Sequence, residues 1–302
     1  LSPTTVLTDA ALDRRLDGTV AGTLAGQPGV SMTSMGPATA RPVIRGLSGD
    51  RILVLEDGQR PGDLSSTSAD HAVAVDPLTA RQLEVVRGPM SLLYGSSALG
   101  GVINVVREEV PNARPEHGHG AVSVQAASVN RGGTVGGTYT AGAGPLAVRA
   151  EGSWRDAGDL RTPLGALANT QLRTVGGALG AALVGHDGHV GGSYRYYAND
   201  YGLPGGFIGT HPGGVDIVMR RHTGRVEGEL HHHTGPFESV RAVGAFTDYE
   251  HTELERTGEV GTRFGQQLAQ GEVVARHGAR GPFAMGAIGV RGQFRDIRTG
   301  GA

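Results

Sequence analysis

The sequence has no cysteine and no lysine; all 27 of its basic residues are arginine. Without cysteine there are no disulfides, thiolate zinc sites or cysteine nucleophiles, although this absence fixes no cellular compartment. Without lysine there is no Schiff-base chemistry and no P-loop. An excess of either charge is missing too, since 27 basic residues face 29 acidic ones and the formal charge is −2. That balance gives no electrostatic case for nucleic acid as a partner. No stretch of 18 apolar residues occurs, so no transmembrane helix is expected. The chain starts Leu1-Ser2-Pro3-Thr4-Thr5 with no signal-peptide pattern, as a mature or trimmed product would. No GxGxxG, HExxH or complete GxSxG is present; Gly95-Ser96-Ser97-Ala98-Leu99 fails at its fifth residue, and no enzyme is expected. None of this touches a transmembrane β-barrel, whose signal is only alternation over segments of about ten residues.

What is abundant is glycine, with 52 residues in 302, unevenly placed: 13 lie in the first 110 positions and 39 (52 − 13) in the last 192. The first stretch reads as an α/β mixture. Leu16, Val20 and Leu24 recur every four residues and predict a helix over Asp13 to Leu24, ended by Gln27-Pro28-Gly29. Ile44 to Leu47, Arg51 to Leu55, Leu83 to Val86 and Val102 to Val106 read as strands, and Glu56-Asp57-Gly58-Gln59 as a turn. Asp76-Pro77-Leu78 has the N-cap and first-position proline that can open a helix.

The second stretch alternates. From Leu146 to Arg155 one parity carries Leu, Val, Ala, Gly and Trp, and the other Ala, Arg, Glu, Ser and Arg, so a strand would present two unlike faces. About nine such segments can be marked, at 119–128, 132–141, 145–155, 172–184, 188–198, 215–230, 237–249, 263–277 and 282–296. Tight connections at 142–145, 185–188, 231–236 and 278–282 alternate with long ones at 156–171, 199–214 and 250–262, as in outer-membrane barrels. Trp154, Tyr194, Tyr196, Tyr197, Phe246, Tyr249 and Phe294 fall near segment ends, where aromatic girdles sit. A soluble sandwich or propeller would show similar strands.

Arg41-Pro42-Val43-Ile44-Arg45-Gly46-Leu47, followed by Arg51-Ile52-Leu53-Val54-Leu55-Glu56-Asp57-Gly58, resembles the plug domain of TonB-dependent outer-membrane receptors. So does Leu83-Glu84-Val85-Val86-Arg87-Gly88-Pro89-Met90-Ser91-Leu92-Leu93-Tyr94-Gly95, running on through Ala98-Leu99-Gly100-Gly101-Val102-Ile103-Asn104-Val105. The likeness is strong over residues 1–110 and only general over 111–302. It implies an α+β plug domain at 1–110, followed at 111–302 by antiparallel transmembrane β-barrel strands. The family's barrel has about 22 strands around a plugged lumen. Here 192 residues at about 21 per strand and connection make only about nine, so a partial barrel is expected. On the same resemblance a signal peptide and TonB box would lie upstream. Arg45, Arg87, Glu56 and Glu84 look like buried ion pairs at a plug–wall contact. The implied partners are a TonB energy-transducing protein and outer-membrane lipid, in a Gram-negative-type outer membrane, with a metal ion or metal chelate as substrate.

Within that family, Ser65 to Pro77 resembles the branch associated with zinc uptake, in which an adjacent Asp-His pair on the plug contributes to the metal site. Asp70 and His71 occupy those positions, and His71 is the only histidine before residue 110. Imidazole and carboxylate are good Zn²⁺ ligands at about 2.0–2.2 Å. Neighbouring residues reach one ion only from a loop or helix start, which the Ser-rich lead-in favours. Glu250, His251 and Glu253 open a predicted long loop, and His211, with Asp216 and His222, lies around another; solvated loop residues are the plain alternative for both. His231-His232-His233 reads as a polar turn on the opposite rim. No resident cofactor is required, and zinc enters as the transported substrate. The alternative cargo is a ferric siderophore, haem or cobalamin, with Tyr194, Tyr196, Tyr197, Tyr201 and Arg195 as contacts. A soluble secreted β protein or an adhesin is the alternative of another class.

Overall fold

The computed structural model describes residues 4–88, 94, 97–206, 212–231, 236–279 and 284–301. Two units form, one seated in the hollow of the other. The N-terminal unit contains β1 (Thr4–Thr8), α1 (Asp9–Asp13), α2 (Val20–Leu24), β2 (Val30–Thr33), β3 (Arg41–Ile44), β4 (Ile52–Glu56), β5 (Gln82–Arg87) and β6 (Gly101–Val106). Its four-stranded sheet runs β1-β5-β6-β4, with β4 parallel to β6 and the other pairs antiparallel, and β2 pairs with β3 beside it. Alternate residues of these strands (Leu83, Val85, Ile103, Val105) bury against Leu7, Leu12, Val20, Leu24 and Ile44. Gly101 shows why glycine is required at one point: at φ 157° a Cβ there would lie 2.4 Å from the Val86 carbonyl oxygen.

The predicted single helix over Asp13 to Leu24 is instead two short helices broken at 14–19. Thr19, in extended backbone, caps α2 by accepting the Gly22 N–H at 3.0 Å, so the chain restarts there. No helix opens at Asp76: its Oδ1 accepts the Leu78 N–H at 2.9 Å, and Ala80 N–H to Pro77 O closes a single turn. Its Oδ2 takes the Ser153 hydroxyl at 2.7 Å, tying that turn to the second unit.

The second unit is one antiparallel sheet of nine strands, each paired with the next in sequence order. These are β7 (His119–Ala127), β8 (Gly132–Ala143), β9 (Leu146–Ala157), β12 (Leu172–Val184), β13 (Gly188–Leu203), β14 (Val215–His231), β15 (Ser239–Glu255), β16 (Val260–His277) and β17 (Gly286–Gly301). A small outlying hairpin, β10 (Leu160–Thr162) with β11 (Gly165–Leu167), fills the connection between β9 and β12. The sheet is an arc of barrel wall, and no helix among the described residues is long and apolar enough to cross a membrane. In the central strands one parity faces the N-terminal unit and is largely buried, such as Thr174, Ala178 and Ala182 on β12. The other parity is exposed and apolar: Val122, Val148, Leu179, Leu183, Val190, Val226, Val240, Phe246, Val273, Val290 and Phe294. Parity also sorts the aromatics: Trp154, Tyr194, Phe246 and Phe294 stand on the outer face, whereas Tyr197 and Tyr249 point inward and are buried.

The upper strands overrun their predicted ends. β15 continues through Glu255 and β16 begins at Val260, so the predicted long connection over 250–262 shrinks to four residues, 256–259. The reason is chemical: the outward set turns polar there (Asp200, Arg220, Asp248, Glu250, Gln267), hiding strands whose backbone pairing goes on.

The N-terminal unit touches the wall from end to end. Gln125 of β7 donates to Leu16 O at 3.3 Å, Gln270 of β16 clamps Arg60 through its N–H (3.1 Å) and carbonyl (2.8 Å), and Arg291 of β17 donates to Gly58 O at 3.1 Å. Between the units lies a buried charge network. Glu56 sits 3.2 Å from Arg107 Nε and 2.6 Å from Arg221 Nη2, Arg107 reaches Glu151 at 3.8 Å, and Arg195 pairs with both Glu109 and Glu151. Of the four charges expected at this contact only Glu56 takes that part. Arg87 donates to Thr5, Glu84 bonds Gln82 and Asn104, and Arg45 is exposed at φ 51° in the turn after β3, which points it away from the wall.

Candidate metal centre

The loop between β4 and β5 carries Asp70 and His71 to the inner wall, and β15 presents Tyr249, His251 and Glu253 to the same place. In a strand, positions i, i+2 and i+4 share a face, so these three side chains point inward together while Glu250 and Thr252 point out. The loop is held on both sides of His71 by one wall residue: Tyr201 of β13 donates its hydroxyl to Asp70 O and accepts the Ala72 N–H, each at 3.0 Å.

Three ligand atoms converge. His71 Nε2 is 3.4 Å from Glu253 Oε1, His251 Nε2 is 3.8 Å from the same oxygen, and one ligand atom from each of the three residues fits within 4.8 Å. The rings of His71 and His251 meet edge to face with centroids 4.5 Å apart, and Phe264 of β16 packs on both, at 5.4 and 4.5 Å. His71 and His251 are buried, and Glu253 retains 22 % side-chain exposure, which leaves the cluster one wet edge.

The other nitrogen of each ring is already engaged. His71 Nδ1 lies 3.2 Å from Leu64 O and 3.1 Å from Thr67 Oγ1. The Thr67 hydroxyl hydrogen is committed to Leu64 O at 2.7 Å, so both neighbours accept and Nδ1 must carry a proton. His251 Nδ1 is 2.9 Å from the Tyr249 hydroxyl, and its buried Nε2 has no hydrogen-bond partner. Burial alone would lower the His71 pKa, but the Glu253 contact, the Asp70 charge and the Leu64 carbonyl outweigh it and hold the imidazole above its ordinary value. Glu253 and Asp70 therefore draw positive charge to His71, supplied by a second proton or by a cation.

Asp70 stands one step back: its Oδ1 is 4.0 Å from His71 Nε2 and takes the Ser68 hydroxyl. Glu250 does not join, because strand parity turns it outward. His211 lies outside the described residues, as do His232 and His233. His222, on the outer face, accepts or donates at the Tyr194 hydroxyl, 2.6 Å away, and is remote from the cluster. Tyr249, Thr67 and Leu64 are site residues that the sequence reading does not single out, and Tyr201, expected as a chelate contact, instead holds the loop; the alternation Tyr-x-His-x-Glu at 249–253 reveals the first once that segment is read as strand rather than loop.

Residues 1–102 match the family model of the TonB-dependent receptor plug domain. Solved structures agree on the fold of the whole chain. The copper transporter OprC superimposes with a TM-score of 0.82 at 17% identity, over 99% of this chain and 47% of its own. The FrpB iron transporter from Neisseria meningitidis gives 0.77 at 12% (97% and 49%), and the siderophore receptor PirA from Pseudomonas aeruginosa 0.71 at 16% (99% and 48%). The chain thus carries a TonB-dependent receptor plug domain and has the fold of such a receptor's plug with part of its barrel. It spans about half the length of the structures it matches.

Proposed function

We propose that this chain forms the plug and first nine wall strands of a TonB-dependent outer-membrane receptor that takes up zinc. One observation carries the cargo: two imidazole nitrogens and a carboxylate oxygen lie within 4.8 Å of one another, while the opposite nitrogens are held elsewhere. A His₂Glu set with an open edge suits Zn²⁺, and the absence of any thiolate does not impair it. Asp70, 4.0 Å away, is placed to complete the set after a small movement of its loop. The apolar outer face is the surface a bilayer would cover, and about nine residues of each strand cross it. The cluster then lies above that band, at the rim opposite the tight turns, which is the extracellular side. Substrate binds there between plug and wall, and a TonB-type partner, drawing on the inner-membrane proton gradient, displaces the plug to let it pass.

The buried cluster is sized for a bare ion. The residues offered for a chelate are otherwise engaged: Tyr194 faces outward, Tyr197 and Tyr201 are buried in the interface core, and Arg195 is paired with Glu109 and Glu151. Met219, buried beside His251 in the β14–β15 register, would favour copper, since thioethers suit Cu(I). Isothermal titration in detergent with Zn²⁺, Cu⁺ and a ferric siderophore tests the reading. Micromolar or tighter zinc binding, abolished by Asp70→Ala with His71→Ala, is expected. Binding that survives the double variant, or tight uptake of the chelate alone, refutes it.

A further inference from the structure

We propose that Tyr249 is a positioning residue that occupies Nδ1 of His251 and so leaves Nε2 as its metal-binding nitrogen. The inference rests on the zinc reading above and adds a residue to it. Zinc takes an imidazole through a bare nitrogen, so the ring's proton must sit on the other one. For His71 the main chain settles this, because Leu64 O and the committed Thr67 hydroxyl can only accept from Nδ1. His251 has no carbonyl at Nδ1. Its sole partner there is the Tyr249 hydroxyl at 2.9 Å, two residues earlier on the same inward face of β15.

A hydroxyl works in both senses. When Tyr249 donates to Nδ1, the proton is on Nε2, facing Glu253 Oε1 at 3.8 Å, and the site is closed to metal. When Tyr249 accepts from Nδ1–H, Nε2 is bare and joins His71 Nε2 and Glu253. Zinc selects the second arrangement, in which the phenol hydrogen rotates away from Nδ1 and the imidazole ring stays in place. The ring has nowhere else to turn: it is buried at 2% exposure, packed edge to face on His71 and tilted against Phe264, and Nε2 has no hydrogen bond to lose. Tyr249 itself is 1% exposed, so water does not take its place.

Tyr249→Phe preserves the packing and removes only the hydroxyl that engages Nδ1. It is expected to weaken zinc binding about 10- to 100-fold, the usual effect of removing a partner of a ligating histidine. The outward Glu250→Gln serves as control and should leave affinity unchanged. Histidine ¹⁵N spectra give the readout that lost packing would not move: zinc-loaded parent protein should show His251 with a protonated Nδ1 and a zinc-bound Nε2. If Tyr249→Phe misfolds, the parent spectrum decides alone, and zinc on His251 Nδ1 overturns the proposal. Undiminished affinity in Tyr249→Phe, with His251 still required, overturns the tyrosine's role and leaves the zinc site standing. A parent protein in which zinc never perturbs His251 overturns the site reading and this inference together.

Discussion

Replacing Glu56 with glutamine should cost the plug–wall contact about as much as any single change in the molecule. Glu56 lies between Arg107 and Arg221, at 3.2 and 2.6 Å, with 13% of its side chain exposed. Burial alone would raise its pKa, but Arg221, Arg107 and Arg195 outweigh that and hold the carboxyl at about 2 instead of 4.5. That difference corresponds to roughly 3 kcal/mol favouring the ionised, folded state. Because the folded value is depressed, the contribution is fully present above about pH 4.5 and disappears as pH falls toward 2. Glu56→Gln keeps the shape and loses the charge. Arg221 is left with Pro61 O at 3.4 Å and the Tyr197 ring, and the loss at neutral pH should again be about 3 kcal/mol. Urea unfolding in detergent at pH 7 and pH 3 reads both effects. The parent should exceed the variant at pH 7 by that margin, and the margin should shrink sharply at pH 3. Equal midpoints at pH 7, or a margin that does not change with pH, would refute the reasoning.

Three further outcomes are expected. Gly180→Ala places a Cβ 1.8 Å from Glu109 O, so it should unseat the segment after β6 at a cost of about 3 kcal/mol; faster proteolysis within 107–118 reads it, and unchanged cleavage counts against the docked geometry. Leu179→Arg, at an outward position 69% exposed, should impair insertion into lipid vesicles by about 2–4 kcal/mol, and normal insertion would argue that this face does not meet lipid. Zinc at about 100 times its dissociation constant should stabilise the parent by about 2.7 kcal/mol, and His251→Ala should lose that gain; a gain retained in the variant places the metal elsewhere.

Much of the architecture was legible because barrel strands repeat a period of two. The alternation at 146–155 marks a strand that the structure contains, with the two unlike faces that the pattern implies. The helix over Asp13 to Leu24 is shorter than its apolar spacing implies because Leu16 packs on the core from outside any helix, ahead of the capped restart at Thr19. Strand ends were misread where the outer face turns polar, and that error hid the site. Treated as loop, Glu250, His251 and Glu253 seemed equivalent; as strand, parity separates Glu250 from the other two. What joins His71 to His251, 180 positions later, is the seating of the plug against β15, which no local pattern encodes.

The proposed site holds one cation jointly between the plug loop and the wall. Zinc K-edge absorption on the loaded protein tests this most directly. Two imidazoles and one or two carboxylate oxygens at about 2.0–2.2 Å are predicted, falling to one imidazole in either His71→Ala or His251→Ala. A shell of oxygens alone, or two imidazoles surviving both substitutions, would contradict it.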